Sequence, residues 1–148
     1  MEKNIGDYMN DNTSDFLNKS RSDWTEMDAR LMSPLQLAYL GDAVYEVLVR
    51  TYLVDKKKVS VNELHKEAVN YVKAEAQAKI AFFLEEKLTE EEWSVLKRGR
   101  NAKSASVPKN ASISDYKYAT GFEALIGYLY IKGDIDRILW LFDEIVND

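Results

Sequence analysis

Three times along this chain a serine or threonine stands three residues ahead of a glutamate or glutamine, at the head of a run with helical apolar spacing. The pairs are Ser33 with Gln36, Ser60 with Glu63, and Thr89 with Glu92. In such a capping box the first side chain accepts from the third helical N–H, and the second reaches back to the N–H of the cap. Each pair therefore marks a helix start, and Pro34 suits the first helical position of the first one. No segment alternates with period two for long enough to make a strand, and no β-branched run is flanked by turns. The chain is predicted to be all-α, a bundle of five or six helices with no internal repeat. The first should run from Pro34 to about Leu53 and the second from Ser60 to about Val72, followed by the helix-forming "AEAQAKIAFFLEEKL". A fourth opens at Thr89 and fades near Gly99. A fifth spans about Asp115 to Ile131 and ends at Gly133, and Asp134 caps a last amphipathic helix, "IDRILWLFDEIV".

Residues 1–32 carry seven acidic and four basic side chains and little apolar periodicity. They read as a polar, partly mobile N-terminal extension, with room for a short helix near Asp15–Lys19 or Trp24–Leu31. Residues 33–148 read as the single folded domain, a size that can bury one core. Cysteine is absent and histidine occurs once. Disulfides and thiolate or histidine-rich metal sites are thereby excluded, and any metal must be held mainly by oxygen. No apolar run reaches the ~20 residues that span a bilayer, and the N-terminus lacks the pattern of a signal peptide, so the default location is the cytoplasm.

Two anomalies carry the chemistry. In "LQLAYLGDAVYEVLVR" the carboxylates Asp42 and Glu46 lie one turn apart in an otherwise apolar helix, and Gly41 costs that helix about 1 kcal/mol relative to alanine. Leu37, Leu40, Val44, Val47 and Leu48 form a broad apolar stripe. Ala38, Asp42, Tyr45, Glu46 and Val49 lie on or beside a second. In "TGFEALIGYLYIKG" the lone carboxylate of Glu123 sits among apolar residues, with Gly127 four positions on. Two such helices crossing at their glycines would bring Asp42 and Glu123 together. Buried carboxylates repel unless a proton or cation lies between them, and Mg²⁺ takes one or two carboxylates plus water and phosphate. Either acid taken singly suits a solvated or hydrogen-bonded structural role equally well.

The net charge of -5 argues against non-specific affinity for nucleic acid, but from Lys97 to Lys109 the chain reads "KRGRNAKSASVPK", with five basic residues and no acidic one. This is a loop with a localised basic footprint, or a plain solvated loop. As a footprint, Lys97, Arg98, Arg100, Lys103 and Lys109 would contact phosphates, while Asn101, Ser104 and Ser106 supply neutral donors. The absence of aromatics between Lys97 and Lys109 suits a duplex backbone better than stacked single strands. His65 reads as an ordinary helix-face residue. Tyr116 and Tyr118, beside Lys117, read first as packing groups.

"LAYLGDAVYEVLVR" resembles the signature helix of the ribonuclease III family, and "FEALIGYLY" resembles that family's second catalytic helix. With "LKRGRNAKS" and "PKN", the likeness is to its small bacterial branch, mini-ribonuclease III, which consists of the nuclease domain alone; it covers about Leu35 to Leu141. The resemblance implies that Asp42 and Glu123 are catalytic Mg²⁺ ligands, with Mn²⁺ as a possible substitute. Two further acids of the full-length enzymes are replaced here by Ala38 and Thr120, as in the small branch. Thr120 could hold a water in place of the missing ligand, and Glu46 is a weaker candidate for an outer role.

The resemblance further implies an endoribonuclease that cuts double-stranded RNA to 5′-phosphate and 3′-hydroxyl ends and acts as a homodimer. The familiar substrate of the branch is the stem formed by the ends of precursor 23S ribosomal RNA. The excess apolar surface of the first helix would suit a two-fold interface. Rival readings are a catalytically weak or inactive RNA-binding module on the same fold, and a helical protein-interaction domain.

Overall fold

The computed structural model describes residues 19–21, 23–103 and 112–148. Among these there is no strand, and seven α-helices lie wholly within them. They are α1 (Glu26–Leu31), α2 (Pro34–Lys56), α3 (Val61–Val72), α4 (Ala74–Leu84), α5 (Glu90–Asn101), α6 (Ile113–Lys132) and α7 (Ile135–Val146), with a 3₁₀ turn at Glu85–Lys87 between α4 and α5. The expectation of an all-α fold holds, and α1 lies within Trp24–Leu31, where a short helix was expected beside the five or six of the body. It is a single short turn and a half, closed by a capping box of Thr25 and Asp28, and its Ala29 is wholly buried. No helix of the described residues is long and apolar enough to cross a membrane.

The three expected capping boxes differ in outcome. Thr89 and Glu92 form the full reciprocal pair. Ser60 accepts from the Glu63 N–H at 3.3 Å, while the Glu63 side chain reaches Lys66. Ser33 makes no side-chain cap bond, which corrects the expected box with Gln36: α2 starts on Pro34, whose fixed φ already favours the first helical position. Gly133 ends α6 in the left-handed region at φ 91°, and its N–H donates to the Leu129 and Tyr130 carbonyls.

The core is organised around α6, which is buried on nearly every side from Ala119 to Ile131, with Glu123 and Tyr130 as the partly exposed exceptions. A helix apolar all round must be enclosed. Accordingly α2, α4 and α5 pack along it, with α1 and α7 covering what remains. The face that α2 turns inward is Leu37, Ala38, Gly41, Tyr45, Val49 and Leu53. This face takes Ala38, Tyr45 and Val49 from the second of the two stripes read from the sequence and only Leu37 from the first. The smallest side chains lie there, so the neighbouring backbone can come closest. The other stripe is only partly covered, and Val47 is exposed. Tyr45 fixes the far end of the contact, its ring edge-on to Phe122 at 4.9 Å and its hydroxyl donating to the Tyr71 carbonyl at 3.1 Å.

At the other end, Arg137 of α7 donates to both oxygens of the buried Glu92 carboxylate at 2.8 Å and to the Lys87 carbonyl at 2.8 Å. Burial alone would push the Glu92 carboxyl up, but the hydrogen bonds from Arg137 and Thr89 outweigh it and hold the group below its ordinary value. One side chain thus caps α5 and anchors α7.

Candidate active site

The acid pair is made by two backbones in contact. A methyl group added to Gly41 would drive into the Glu123 carbonyl oxygen and stand 2.7 Å from the Gly127 nitrogen. One added to Gly127 would drive into the Leu37 carbonyl oxygen and stand 3.1 Å from the Gly41 nitrogen. No side chain fits between α2 and α6 at this point, so the two helices cross at their glycines. Asp42 follows Gly41, and Glu123 precedes Gly127 by one turn. Their carboxyl groups consequently lie close enough to act on one another. Asp42 is exposed and Glu123 partly buried, so the pair opens at the surface. Burial first, and then hydrogen bonding to and repulsion by Asp42, push the Glu123 carboxyl up to about 8; the Gln77 amide pulls the other way.

Gln77 is the residue that sequence reasoning missed. It lies on the buried stripe of α4 with Ala78, Ala81 and Leu84, and is itself 1% exposed. Its Nε2 donates to the Val72 carbonyl at 3.1 Å, and its Oε1 is buried with no partner. A polar side chain at apolar helical spacing was the available signal.

The other expected site residues are not all gathered here. Thr120 is buried one turn before Glu123, and its hydroxyl donates to the Tyr116 carbonyl at 3.0 Å. Ala38 is buried and supplies no ligand. Glu46 pairs with Arg50 at 2.8 Å and lines the groove between α2 and α3 that also holds His65, so it is directed away from Glu123.

The basic residues occupy the end of α5. Gly99 meets Gly121 so closely that a methyl group on Gly99 would stand 2.9 Å from the Gly121 Cα, which fixes the end of α5 against α6. Lys97, Arg98, Asn101 and Lys103 are exposed. Arg100 is half-buried, 5.5 Å above the Tyr118 ring and bonded to Asn101 Oδ1 at 3.0 Å. Tyr118 in turn packs on the exposed Phe82 at 4.5 Å, an aromatic platform that the loop's own sequence does not reveal. Lys109, with Ser104 and Ser106, lies outside the described residues.

Chemically, the pair suits a hard divalent cation. All the donors are oxygens, the Gln77 side chain that acts on Glu123 carries a buried oxygen without a partner, and the repulsion between the two carboxyls is of the kind a cation relieves. Among the described residues no group of three or more histidine, cysteine or acidic side chains converges. Most of the coordination sphere would therefore fall to water and phosphate, the usual habit of Mg²⁺.

The model of the ribonuclease III domain matches residues 35–134, a span that contains both acids and the α5 end. The chain is 48% identical over 126 residues to the mini-ribonuclease 3 of Clostridium tetani, covering 84% of this chain and 83% of that one. It is 56% identical over 111 residues to the mini-ribonuclease 3 of Brevibacillus brevis, covering 75% and 83%. The X-ray crystal structure of a protein from Fusobacterium nucleatum superposes with a TM-score of 0.73 at 31% identity, covering 81% of this chain and 96% of that one. On the domain match, the identities and the shared fold, this chain belongs to the ribonuclease III family of endoribonucleases, in its mini-ribonuclease 3 group.

Proposed function

We propose that the chain hydrolyses double-stranded RNA at the Asp42–Glu123 pair with Mg²⁺ bound there, Mn²⁺ being able to substitute, leaving 5′-phosphate and 3′-hydroxyl ends. The observation that supports this reading is the Gly41–Gly127 crossing, on whose two helices Asp42 and Glu123 stand close enough to act on one another. When bound, the cation supplies Lewis-acid stabilisation of charge on the phosphate and lowers the pKa of water. Asp42, exposed, meets the scissile phosphate side of the site, and Glu123, held from behind by burial and Gln77, keeps the second carboxyl in register. Ala38 and Thr120 leave the remaining positions to water. Lys97, Arg98, Arg100, Asn101, Lys103 and Lys109 hold the duplex through its phosphates.

The working form is a homodimer. Support comes from the apolar residues that α1 and α2 leave uncovered: Met27, Leu31, Leu35, Tyr39 at 81% exposure, Val47 and Val54. Two copies joined over this face would present two acid pairs to one duplex. The substrate is the paired ends of precursor 23S ribosomal RNA in the cytoplasm, a reading that rests on the resemblance of the two catalytic-helix motifs to the small bacterial branch. The test is incubation with a labelled RNA duplex in Mg²⁺ and in EDTA. Cleavage confined to Mg²⁺, and abolished in Asp42→Asn and Glu123→Gln, supports the proposal; a band shift without cutting would instead select a binding module.

A further inference from the structure

Gln77 belongs to the site in a way its structural duties do not explain. It stands in the first turns of α4, where α3 ends at Val72 and the chain turns through Lys73. A helix end leaves carbonyls without intrahelical donors, and the Gln77 Nε2 satisfies one of them, that of Val72. This fixes the amide's orientation, since the reverse assignment would set its oxygen against a carbonyl oxygen. The same side chain reaches Glu123 across the α4–α6 contact. Capping the end of α3 thus accounts for the nitrogen and leaves Oε1 unexplained. A buried amide oxygen without a donor costs about 1–3 kcal/mol, and a leucine in its place would avoid that cost entirely.

We propose that Gln77 is a positioning residue of the cation site, its Oε1 accepting a hydrogen bond from a cation-bound water and so standing in for one of the acids that Ala38 and Thr120 lack. This rests on the reading of Asp42 and Glu123 as the cation pair. The chemistry is consistent at each atom. Oε1 can only accept, metal-bound water is a strong donor, and a neutral oxygen adds no further repulsion beside two carboxyls. Groups that orient a metal's ligands from just outside commonly alter its affinity by about 10–100-fold when removed.

The experiment titrates Mn²⁺ into RNA-free protein by calorimetry and by the paramagnetic resonance of free Mn²⁺, for the wild type, Gln77→Leu, Gln77→Asn, Gln77→Glu and Asp42→Asn, with thermal unfolding measured alongside. Expected are about 10–100-fold weaker binding in Gln77→Leu, an intermediate loss in Gln77→Asn, whose oxygen is withdrawn by one methylene, and recovery in Gln77→Glu. In cleavage assays Gln77→Leu should need more Mg²⁺ for half its maximal rate and regain most of the rate at saturation, a response that a merely structural role would not give. Wild-type Mn²⁺ affinity in folded Gln77→Leu, or in Gln77→Asn should the leucine variant not fold, overturns the role of Gln77 and leaves the acid pair standing. Undiminished binding in Asp42→Asn overturns the acid pair itself.

Discussion

Asp42→Asn should make the metal-free protein more stable, and only at neutral and alkaline pH. Folding moves the Glu123 carboxyl from an ordinary 4.5 to about 8, through burial first and Asp42 second. The native state therefore keeps this proton over a range in which the unfolded chain has lost it. Stability from this group is greatest below about pH 4.5, declines as pH rises toward about 8, and is level above. The full displacement corresponds to at most about 5 kcal/mol, reduced by the partial exposure of the group to water. Burial remains in the variant and only Asp42's contribution vanishes, so we expect a gain of about 1 kcal/mol at pH 8.5, or roughly 2–4 °C in Tm for a domain of this size. Urea unfolding in EDTA at several pH values from 4.5 to 8.5 measures it. The difference between variant and wild type should shrink toward the acid end. With Mg²⁺ added, the wild type should recover stability by mass action and the variant should not. A variant equally or less stable than the wild type at pH 8.5 in EDTA would mean that the two carboxyls do not share one space.

Gly127→Ala pushes a methyl into the Leu37 backbone and should cost about 3 kcal/mol or more in urea unfolding, with cleavage lost even where the fold persists. Replacing Arg98 and Arg100 together by alanine should weaken duplex binding and lower the salt slope of the affinity by about 1–2, leaving the thermal midpoint nearly unchanged; an unaltered slope would remove these arginines from the interface. Arg137→Met strands a buried carboxylate and should destabilise by about 3 kcal/mol at pH 7. Because the Glu92 carboxyl is held below its ordinary value, that stability is present above the usual carboxylate range and disappears as pH falls through the folded value, so variant and wild type should converge in acid. Tyr39→Glu with Val47→Glu should convert a micromolar dimer to monomers by light scattering, and a wild-type monomer would refute the two-fold assembly.

The helices were legible in this sequence because their ends are written locally. Thr89 with Glu92, Gly133 and Asp134 each do their work within four residues, and the observed boundaries fall close to those positions. The crossing was legible for a different reason: a helix-interior glycine beside a carboxylate is costly, and it occurs on two helices. What escaped notice depends on partners far along the chain. Glu92 reads as a capping residue, and nothing near it announces Arg137, 45 positions later. Gln77 sits on an apolar stripe, and its importance appears only once α4 lies against α6. Which face of α2 turns inward was likewise a matter of what the neighbour could approach, and the buried face draws on both stripes.

At the point where α2 meets α6 the spacing between the acids is set by peptide units resting on peptide units. Side chains elsewhere in the core, such as Tyr45 against Phe122, can be exchanged for others of similar volume without altering that spacing, because none of them is interposed. Sequence drift among the large apolar side chains of the interior should then be tolerated far more readily than any added atom at the two glycines, and engineered stabilisation of this chain has those side chains open to it.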